Sequence, residues 1–411
     1  MKQYYIVIFF LLTLAFGCND EEGAGPGESD TFVKLYGSRY GEDAQDLLVE
    51  SDGRMLVLSS TEIEIDDDTY YKVIVRQIDA LGNLLWESTF PSSEIENTLP
   101  NYTGSSIIKH LDGYLIIGSS INTDSETSES ETNMLLLKID QSGSMIATSE
   151  FSLDDGSTEL NGVDAVVNSV GELKVTALLN SDTQNLWVGT FDDNLNNIPE
   201  CSFSFSSAGS GTSLIQGAFV EENNDIVYSI STFVNKGNSR LVRVPSCQPT
   251  QITGPLISTE ANTASYDINQ LSTSLNGYAM VGTTDVNGDN DIFLARVDEF
   301  GVLQDSIPIV FGGADLDGDE EGFGIYQTAD GGFLITGSSE SNTEGGSDII
   351  LIKTDFRGNE LWSRFYGDQN DEQASEIGQA PDGGYLILGD TEFGGINTLI
   401  LIKTDRQGNV N

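Results

Sequence analysis

The sequence predicts an all-β protein made of seven similar units, and three observations indicate this fold class. A turn signal followed by a short apolar strand recurs at intervals of about 52 to 60 residues. Around each recurrence lies enough strand-forming and turn-forming sequence for four strands. The composition agrees, because 44 Gly, 9 Pro and 38% hydrophobic residues suit a long array of short strands.

The recurring apolar strand is the second of each unit. It lies in the segments DGRMLVLSS (52–60), DGYLIIGSS (112–120), VGELKVTAL (170–178), NNDIVYSIS (223–231), NGYAMVGTT (276–284), GGFLITGSS (331–339) and GGYLILGDT (383–391). Because each segment opens with turn-forming residues and continues as an apolar run, the pattern predicts seven repeated units.

The third strand of a unit ends in Asp, and Gly follows three residues later. An Asp that accepts backbone hydrogen bonds and a Gly that accepts positive φ predict a tight hairpin to the fourth strand. The units that depart from the pattern, the third with Asp192 to Leu195 and the fourth with Pro245 to Cys247, are interpreted as degenerate. Five units carry the pattern: Asp79 with Gly82, Asp140 with Gly143, Asp298 with Gly301, Asp355 with Gly358, and Asp405 with Gly408.

The two chain ends predict a closed ring. The seventh unit stops at Asn411, directly after its turn, and therefore lacks a fourth strand. The segment FVKLYG (32–37) is similar to the fourth strands of other units and can supply the missing one. Closure of this kind leaves no free sheet edges. We therefore predict a seven-bladed β-propeller of four-stranded blades over residues 31–411, closed by an N-terminal strand that completes the last blade.

The best-preserved unit reads DGGFLITGSS followed by SDIILIKTDFRGNELWSRFYG. It resembles the repeats of bacterial secreted or lipid-anchored propellers of the SBBP and delta-60 type, over essentially all of residues 31–411. The resemblance implies the fold and a location outside the cytoplasm. It implies no catalytic residue, because members of this group are mostly without a known activity.

The N-terminus predicts an exported, lipid-anchored protein. Residues 1–17 combine one positive charge with an apolar stretch shorter than the ~20 residues of a membrane span, which is typical of a signal peptide. The sequence LAFGC resembles a lipobox and implies lipidation of Cys18, with an incidental cysteine as the alternative. Residues 18–30 form an acidic Gly/Pro-containing segment, which predicts a flexible tether.

The acidic residues that directly follow Cys18 resemble the signal by which some Gram-negative bacteria carry lipoproteins to the outside of the outer membrane. We therefore expect an outer-membrane lipoprotein on the extracellular face of a Gram-negative bacterium, with the membrane as its first partner. The two remaining cysteines, Cys201 and Cys247, lie in neighbouring units. An exported protein can keep a disulfide, so these two residues can pair, while two free thiols stay open as the alternative.

The charge excludes several functions. With 18 Lys and Arg against 65 Asp and Glu, the formal net charge of -47 leaves no basic footprint for nucleic acid. A single histidine, His110, removes most zinc and Ser-His-Asp chemistry. The acids concentrate in the loops from fourth to first strands and from second to third strands. Because these loops open on one side of a propeller, we expect one strongly anionic face.

Two loops of that face have spacing suited to a metal ion. Calcium takes six to eight oxygen ligands, and D-x-[DN]-x-[DN] begins many calcium loops. The second loop also resembles the calcium loops of FG-GAP propellers. Neither loop has the bidentate Glu of a helix-loop-helix site. The sequence predicts calcium in at least one loop, with an ion-free acidic turn as the alternative. The candidate ligands are Asp285, Asn287, Asp289 and Asp291 in one loop and Asp315, Asp317 and Asp319 in the other.

The hairpins TDFRGNELW (354–362) and IDALGNLLW (78–86) resemble two patterns of enzymatic propellers, the Asp-box of sialidases and the tryptophan-docking hairpin of quinoprotein dehydrogenases. In both families the hairpin is structural. Only Trp86 and Trp362 keep the tryptophan, and their spacing from the Asp is one residue short of the quinoprotein pattern. These hairpins therefore assign no catalytic residue.

These observations favour a monomeric, non-enzymatic binding or scaffolding module for an envelope protein or a glycan. Calcium is the one cofactor that the sequence indicates. The alternative function is an extracellular polysaccharide-active enzyme, a glycoside hydrolase or a lyase, that uses carboxylates at the central channel.

Overall fold

The structure is a computed structural model. It describes residues 30–410 apart from 66–67, 93–100, 124–129, 154–158, 169–170, 180–184, 206–212, 221–224, 233–237, 246, 249, 251, 258–260, 272–276, 313–317, 342 and 344. The signal peptide, Cys18, nearly all of the tether, and the loop residues Asp315 and Asp317 lie outside the described residues. Their assignments stay predictions.

The described chain forms seven four-stranded sheets with one short 3-10 helix, Pro199–Cys201. The first strands are β2 (Asp43–Val49), β6 (Asn101–His110), β10 (Leu160–Val167), β14 (Ser213–Val220), β18 (Thr263–Gln270), β22 (Glu320–Gln327) and β26 (Glu372–Gln379). The second strands are β3 (Met55–Ile65), β7 (Gly113–Thr123), β11 (Leu173–Leu179), β15 (Ile226–Thr232), β19 (Tyr278–Thr284), β23 (Phe333–Ser339) and β27 (Tyr385–Phe393).

The outer half of each blade completes the sheet. The third strands are β4 (Asp68–Ile78), β8 (Ser130–Asp140), β12 (Asn185–Phe191), β16 (Asn238–Val244), β20 (Asp291–Val297), β24 (Asp348–Thr354) and β28 (Ile396–Thr404). The fourth strands are β5 (Leu84–Phe90), β9 (Met145–Phe151), β13 (Phe203–Phe205), β17 (Ile252–Thr253), β21 (Ile309–Phe311), β25 (Glu360–Tyr366) and β1 (Phe32–Tyr36). No helix within the described ranges is long and apolar enough to cross a membrane.

The seven sheets close into a ring around a central channel. Each first strand contacts the first strands of the two neighbouring blades, and β26 of the seventh blade contacts β2 of the first. The N-terminal strand β1 pairs antiparallel with β28, from Phe32 opposite Lys403 to Tyr36 opposite Leu399. The predicted seven-bladed propeller and its closure by an N-terminal strand are therefore confirmed.

The core lies between neighbouring blades rather than in one central mass. In β3, the side chains from Met55 to Leu58 are fully buried, although successive side chains point to opposite faces of the sheet. Those on one face pack against the second blade and those on the other against the seventh. This two-sided burial explains why the second and third strands are nearly continuous apolar runs. Each buried Leu or Val side chain contributes about 1.5–3 kcal/mol to the free energy of unfolding.

The hairpins between third and fourth strands form as the sequence predicts. The Asp79 carboxylate accepts hydrogen bonds from the backbone N–H groups of Leu81 (2.9 Å) and Asn83 (2.8 Å), and Gly82 has a φ of 77°. The third unit makes the same turn with Asp192, although Leu195 takes the positive φ in place of Gly. Its turn is therefore better preserved than a degenerate unit implies.

These hairpins also form hydrogen bonds between neighbouring blades, on the face opposite the loops that join fourth to first strands and second to third strands. Neighbouring blades meet at seven seams. At six of them, a side chain of one blade donates a hydrogen bond to a backbone carbonyl in the hairpin of the next blade. The six pairs are Trp86 with Gln141, Lys138 with Asp193, Arg243 with Glu299, Arg296 with Phe356, Tyr366 with Gly408, and Tyr36 with Gly82. At the remaining seam, the sulfurs of Cys201 and Cys247 lie at bonding distance, with Cα atoms 4.2 Å apart. The pairing in the exported protein stays a prediction.

Truncation tests the closure by β1. A chain that begins at residue 38 loses the β1–β28 pairing and exposes the edge of β28. We expect its free energy of unfolding to fall by at least about 3 kcal/mol, since loss of one buried Phe side chain alone costs that much. Urea unfolding measures the change, with a chain that begins at residue 30 as the control. Equal stability of the two chains would show that β1 does not close the ring.

Candidate functional site

Every first strand carries a β-bulge at the same place. A bulge inserts one residue that the neighbouring strand does not pair, and it turns the chain locally. The extra residues Gln45, Tyr266, Phe323 and Ser375 all line the mouth of the channel. The register shifts fall between Ala44 and Asp46, Gly104 and Ser106, Gly162 and Asp164, Gln216 and Ala218, Ser265 and Asp267, Gly322 and Gly324, and Ala374 and Glu376.

A cavity of about 910 Å³ opens at this mouth between the fifth, sixth, seventh and first blades. A second cavity of about 520 Å³ continues it along the first three blades and shares Asp43 and Gln45 with it. The larger cavity is lined by Asp43, Ala44, Gln45, Tyr266, Asp267, Phe323, Ser347, Asp371, Gln373, Ala374, Ser375, Glu376, Asp390, Glu392, Gly395 and Asn397. Its wall is therefore mainly carboxyl, amide and hydroxyl groups, with two aromatic rings.

The two aromatic rings form a pair at the wall. Tyr266 of β18 and Phe323 of β22 pack edge to face, with centroids 5.4 Å apart and planes at 64°. Both are bulge residues, so the backbone of the first strands turns them toward the cavity rather than into the seam between blades. They provide an apolar platform in an otherwise polar site.

A carboxyl group follows the bulge in four of the seven first strands: Asp46, Asp164, Asp267 and Glu376. Asp46 accepts the N–H of Leu47 and that of Ile107 in the neighbouring first strand β6, both at 2.7 Å. Asp267 makes the equivalent pair with Ile268 at 2.7 Å and Ile325 of β22 at 2.8 Å. Asp46 and Asp267 therefore join first strands of adjacent blades.

The four carboxyl groups influence one another across the channel. Burial raises the pKa of Asp46 to about 6 and that of Asp267 to about 7. Backbone hydrogen bonds to these carboxyl groups lower the pKa, whereas the negative charges of the other channel carboxylates raise it further. Burial and the neighbouring Asp267 and Asp46 raise the pKa of Glu376 well above its ordinary value. The groups touch channel solvent but are enclosed by protein, so repulsion between them is poorly screened.

One more carboxyl group at the cavity wall has a raised pKa. Burial raises the pKa of Asp390 in β27 to about 7, against the hydrogen bond from the N–H of Ala44, and the nearby Asp43 raises it further. Asp43, Asp371 and Glu392, in contrast, are exposed at the rim. The mouth thus places enclosed carboxyl groups whose pKa is raised beside carboxyl groups that are exposed at the rim.

Basic side chains of the described residues do not line the two mouth cavities, although Arg39 lines a smaller cavity of about 270 Å³ that shares Asp43, Gly395 and Asn397 with the larger one. None of the described residues that line the two mouth cavities is Arg, Lys or His. His110 is buried where β6 ends, on the face opposite the mouth. Among the described residues, the lining of the two larger cavities is therefore acidic or uncharged, and Arg39 is the cationic side chain at the adjoining cavity.

The structure brings the two predicted calcium loops together at the seam between the fifth and sixth blades. Asp319 accepts the N–H of Asn290 at 3.0 Å. Asp285 accepts the N–H of Asn262 at 2.8 Å, and the amide of Asn287 donates to Asp291 at 2.6 Å. Among the described residues, no group of three or more His, Cys, Asp or Glu side chains is arranged around a metal position. Calcium at these loops stays a prediction.

Comparisons with known proteins identify the fold. No family model and no curated protein matches the sequence. A polysaccharide lyase of family PL25, an ulvan lyase, is similar in structure with a TM-score of 0.54, 8% identity, and coverage of 91% of this chain and 96% of the lyase.

Two further solved structures are less similar. A protein of unknown function from Dyadobacter fermentans aligns with a TM-score of 0.49, 9% identity, and coverage of 91% of this chain and 97% of that one. A Trypanosoma rangeli sialidase aligns with a TM-score of 0.41, 9% identity, and coverage of 92% of this chain and 57% of the sialidase. At 8% identity, the similarity to the lyase supports the fold alone, a β-propeller.

The raised pKa values predict that stability falls as pH rises. The ordinary pKa of Asp in an unfolded chain is about 4, so between about pH 4 and 7 the folded state binds more protons than the unfolded state. The free energy of unfolding must then decrease toward pH 7 and above. Replacing one such group, Asp267→Asn, should reduce the slope by up to about 1.4 kcal/mol per pH unit, which corresponds to one proton.

Urea unfolding between pH 5 and 8 measures this slope. The exposed rim variant Glu392→Gln is the control, because it removes one charge from the same cavity without removing a buried carboxyl group. If Asp267→Asn and Glu392→Gln change the slope equally, the slope reflects overall charge and not the channel group.

Proposed function

We propose that the protein is a lipid-anchored propeller that binds a neutral or cationic glycan at its channel mouth. The observation that carries this proposal is the cavity of about 910 Å³, which combines the Tyr266–Phe323 pair with carboxyl and amide side chains. Ligand sites of proteins are typically cavities of about 300–1,000 Å³ with a few convergent polar groups. The volume suits a short oligosaccharide.

The chemistry of the wall fits a sugar. Sugar rings have apolar C–H faces that pack on aromatic rings and a girdle of hydroxyl groups that need hydrogen-bond partners. Tyr266 and Phe323 offer the first kind of contact. Gln45, Gln373 and Asn397 offer both donors and acceptors, and the carboxyl groups accept or donate according to their protonation.

The charge of the wall selects against acidic sugars. The similar ulvan lyase was solved with a glucuronate-containing saccharide, which is an anion. A wall of carboxyl groups without a described Arg, Lys or His would repel such a ligand. A neutral sugar or an amino sugar is the class that this wall suits. A basic envelope protein, the other partner that the sequence suggests, would bind the acidic rim rather than the cavity.

A glycoside hydrolase is the second candidate, and one observation favours it. Asp390 has a pKa raised to about 7 at the cavity wall, which is the property of a general acid in glycoside cleavage. The exposed Asp43 or Asp371 of the same cavity would then be the second carboxyl group. Release of reducing ends from a bound glycan, lost in Asp390→Asn, would establish hydrolysis in place of binding alone.

Binding to an array of neutral, amino and acidic glycans tests the proposal. We expect binding to neutral or amino sugars, and a loss of about tenfold or more in Tyr266→Ala and Phe323→Ala, since each substitution removes a stacking contact of about 1.4 kcal/mol. Phe356→Ala is the control, because Phe356 is an exposed aromatic residue in a hairpin on the opposite face. Binding that is confined to acidic glycans, or that is equal in all variants, would contradict the proposal.

We further propose that Cys18 anchors this propeller to the outer face of the outer membrane through residues 18–30. A disulfide between Cys201 and Cys247 fits the oxidising compartment outside the cytoplasm. Covalent lipid adds about 0.8 kcal/mol per buried CH₂ group, so two or three acyl chains hold the protein stably at the membrane.

Substitution of Cys18 tests the anchor. Cys18→Ser should move the protein from the membrane fraction to the soluble fraction and block lipoprotein processing, because serine offers no thiol for the lipid. Cys201→Ser is the matched control, since it removes a cysteine of the folded domain. Retention of Cys18→Ser in the membrane with normal processing would show that another feature holds the protein there.

A further inference from the structure

A second site lies at the seam between the fifth and sixth blades, away from the mouth cavity. Three side chains with oxygen atoms meet there: Asp291 at the start of β20, Glu320 at the start of β22, and Ser341 just after β23. Their relative exposures are 0%, 0% and 5%. Two of them are carboxylates, which are rarely fully buried without a compensating partner.

Two oxygen atoms of this group have no hydrogen-bond partner. Glu320 Oε1 accepts the hydroxyl of Ser339 at 2.8 Å, but Oε2 is buried and without a partner, as is Oγ of Ser341. Burial raises the pKa of Glu320, while Ser341 lies near enough to lower it without reaching hydrogen-bond geometry. A buried carboxylate oxygen without a partner costs more than the 1–3 kcal/mol of a neutral group, and no partner of Glu320 Oε2 is found among the described residues.

Glycine backbone borders the same group. Gly312 has a φ of 134°, and a Cβ atom there would lie 1.9 Å from Asp291 Oδ1 and 3.1 Å from Glu320 Oε2. A Cβ atom on Gly318 would lie 3.0 Å from Ser341 Oγ. The two carboxylate oxygens are therefore no more than about 5 Å apart, the separation of two oxygens on opposite sides of one ion at 2.3–2.6 Å. A side chain at residue 312 would fill this position.

In the first blade, an arginine side chain neutralises the glutamate at the position equivalent to Glu320. Glu42 occupies the place of Glu320, two residues before the bulge. There Arg76 donates from Nη2 to Oε1 at 2.8 Å, and Ser59 donates to Oε2 at 2.8 Å. No described Arg or Lys forms an ion pair with Glu320. The nearby Asp291 and Asp289 instead raise its pKa further.

We propose that this seam binds one calcium ion through the carboxylates of Asp291 and Glu320 and the hydroxyl of Ser341. Two carboxylates neutralise the divalent charge, and water would complete the six to eight oxygens that calcium takes. Magnesium is a poorer fit, because it demands octahedral geometry and retains its water. The site shares Asp291 with the calcium loop that the sequence predicts, but its second carboxylate comes from the start of β22.

Thermal unfolding of the chelator-treated protein tests the site. At equal ionic strength, calcium at about a hundred times its Kd should raise the Tm by about 3 °C or more over the value with magnesium. Glu320→Gln should lose this shift. Glu392→Gln is the control, because it removes one exposed carboxylate at the rim and leaves the side chains of this seam in place. It should keep the shift, and calorimetric titration should find the site in it.

Several outcomes would overturn the proposal. A calcium shift no larger than that of magnesium would mean that no calcium site exists. A calcium shift that persists in Glu320→Gln would place the ion elsewhere. In a third outcome, calcium affects neither the original protein nor Glu320→Gln, while the variant is at least as stable as the original without calcium. That result would show that Asp291 and Glu320 share a proton and do not bind an ion. If Glu320→Gln does not fold, Ser341→Ala replaces it and should raise the calcium Kd by about tenfold; an unchanged Kd would contradict the proposal.

Discussion

The contact between a carboxyl group of one first strand and the backbone of the next joins blades at two of the seven seams at the centre of this propeller and sets the chemistry of its mouth. First strands of neighbouring blades belong to different sheets and cannot share a ladder of backbone hydrogen bonds. The bulge frees a residue, and the carboxyl group behind it crosses the seam, as Asp46 does to Ile107 and Asp267 does to Ile325. The ring is closed at its centre by side chains and at its outer edge by β1.

The same bulges create the candidate site. They turn Tyr266 and Phe323 into the mouth while the residues behind them hold the strands together. Because the supporting carboxyl groups are enclosed and lie near one another, they retain protons at a pH where isolated carboxyl groups are ionised. The structural requirement of the ring thus determines the chemistry of the mouth, whose described lining in the two larger cavities is acidic, rich in hydrogen-bond donors and acceptors, and without Arg, Lys or His.

The sequence predicts the architecture because each blade repeats the same local chemistry. Apolar second strands, the turns of Asp79 and its equivalents, and the strand-like FVKLY at the N-terminus are all visible in single segments. The third unit shows the limit of that approach. Its turn has the Asp but not the Gly, and only the backbone geometry reveals that Leu195 takes the positive φ.

The site was less predictable, because its residues acquire meaning only through the bulge. An acid in the middle of a half-buried strand, as in AQDLL, SYDIN or ASEIG, reads as a solvent-facing residue. A usable signal exists in retrospect: a small residue lies two positions before the acid, and an apolar residue follows it. The unpartnered oxygen of Glu320 has no sequence signal, since Glu42 and Glu372 occupy the same position with both oxygens satisfied.

The channel carboxyl groups Asp46, Asp267 and Glu376 have raised pKa values because they are enclosed by protein and lie near other channel carboxylates. Carbon-13 NMR of the Asp and Glu carboxyl carbons, followed from pH 3 to 9, measures this directly. We predict at least two carboxyl groups that titrate above about pH 5.5, with curves broadened by coupling and shifted together in Asp267→Asn. Titration of every carboxyl group below about pH 5, in independent single steps, would contradict the account.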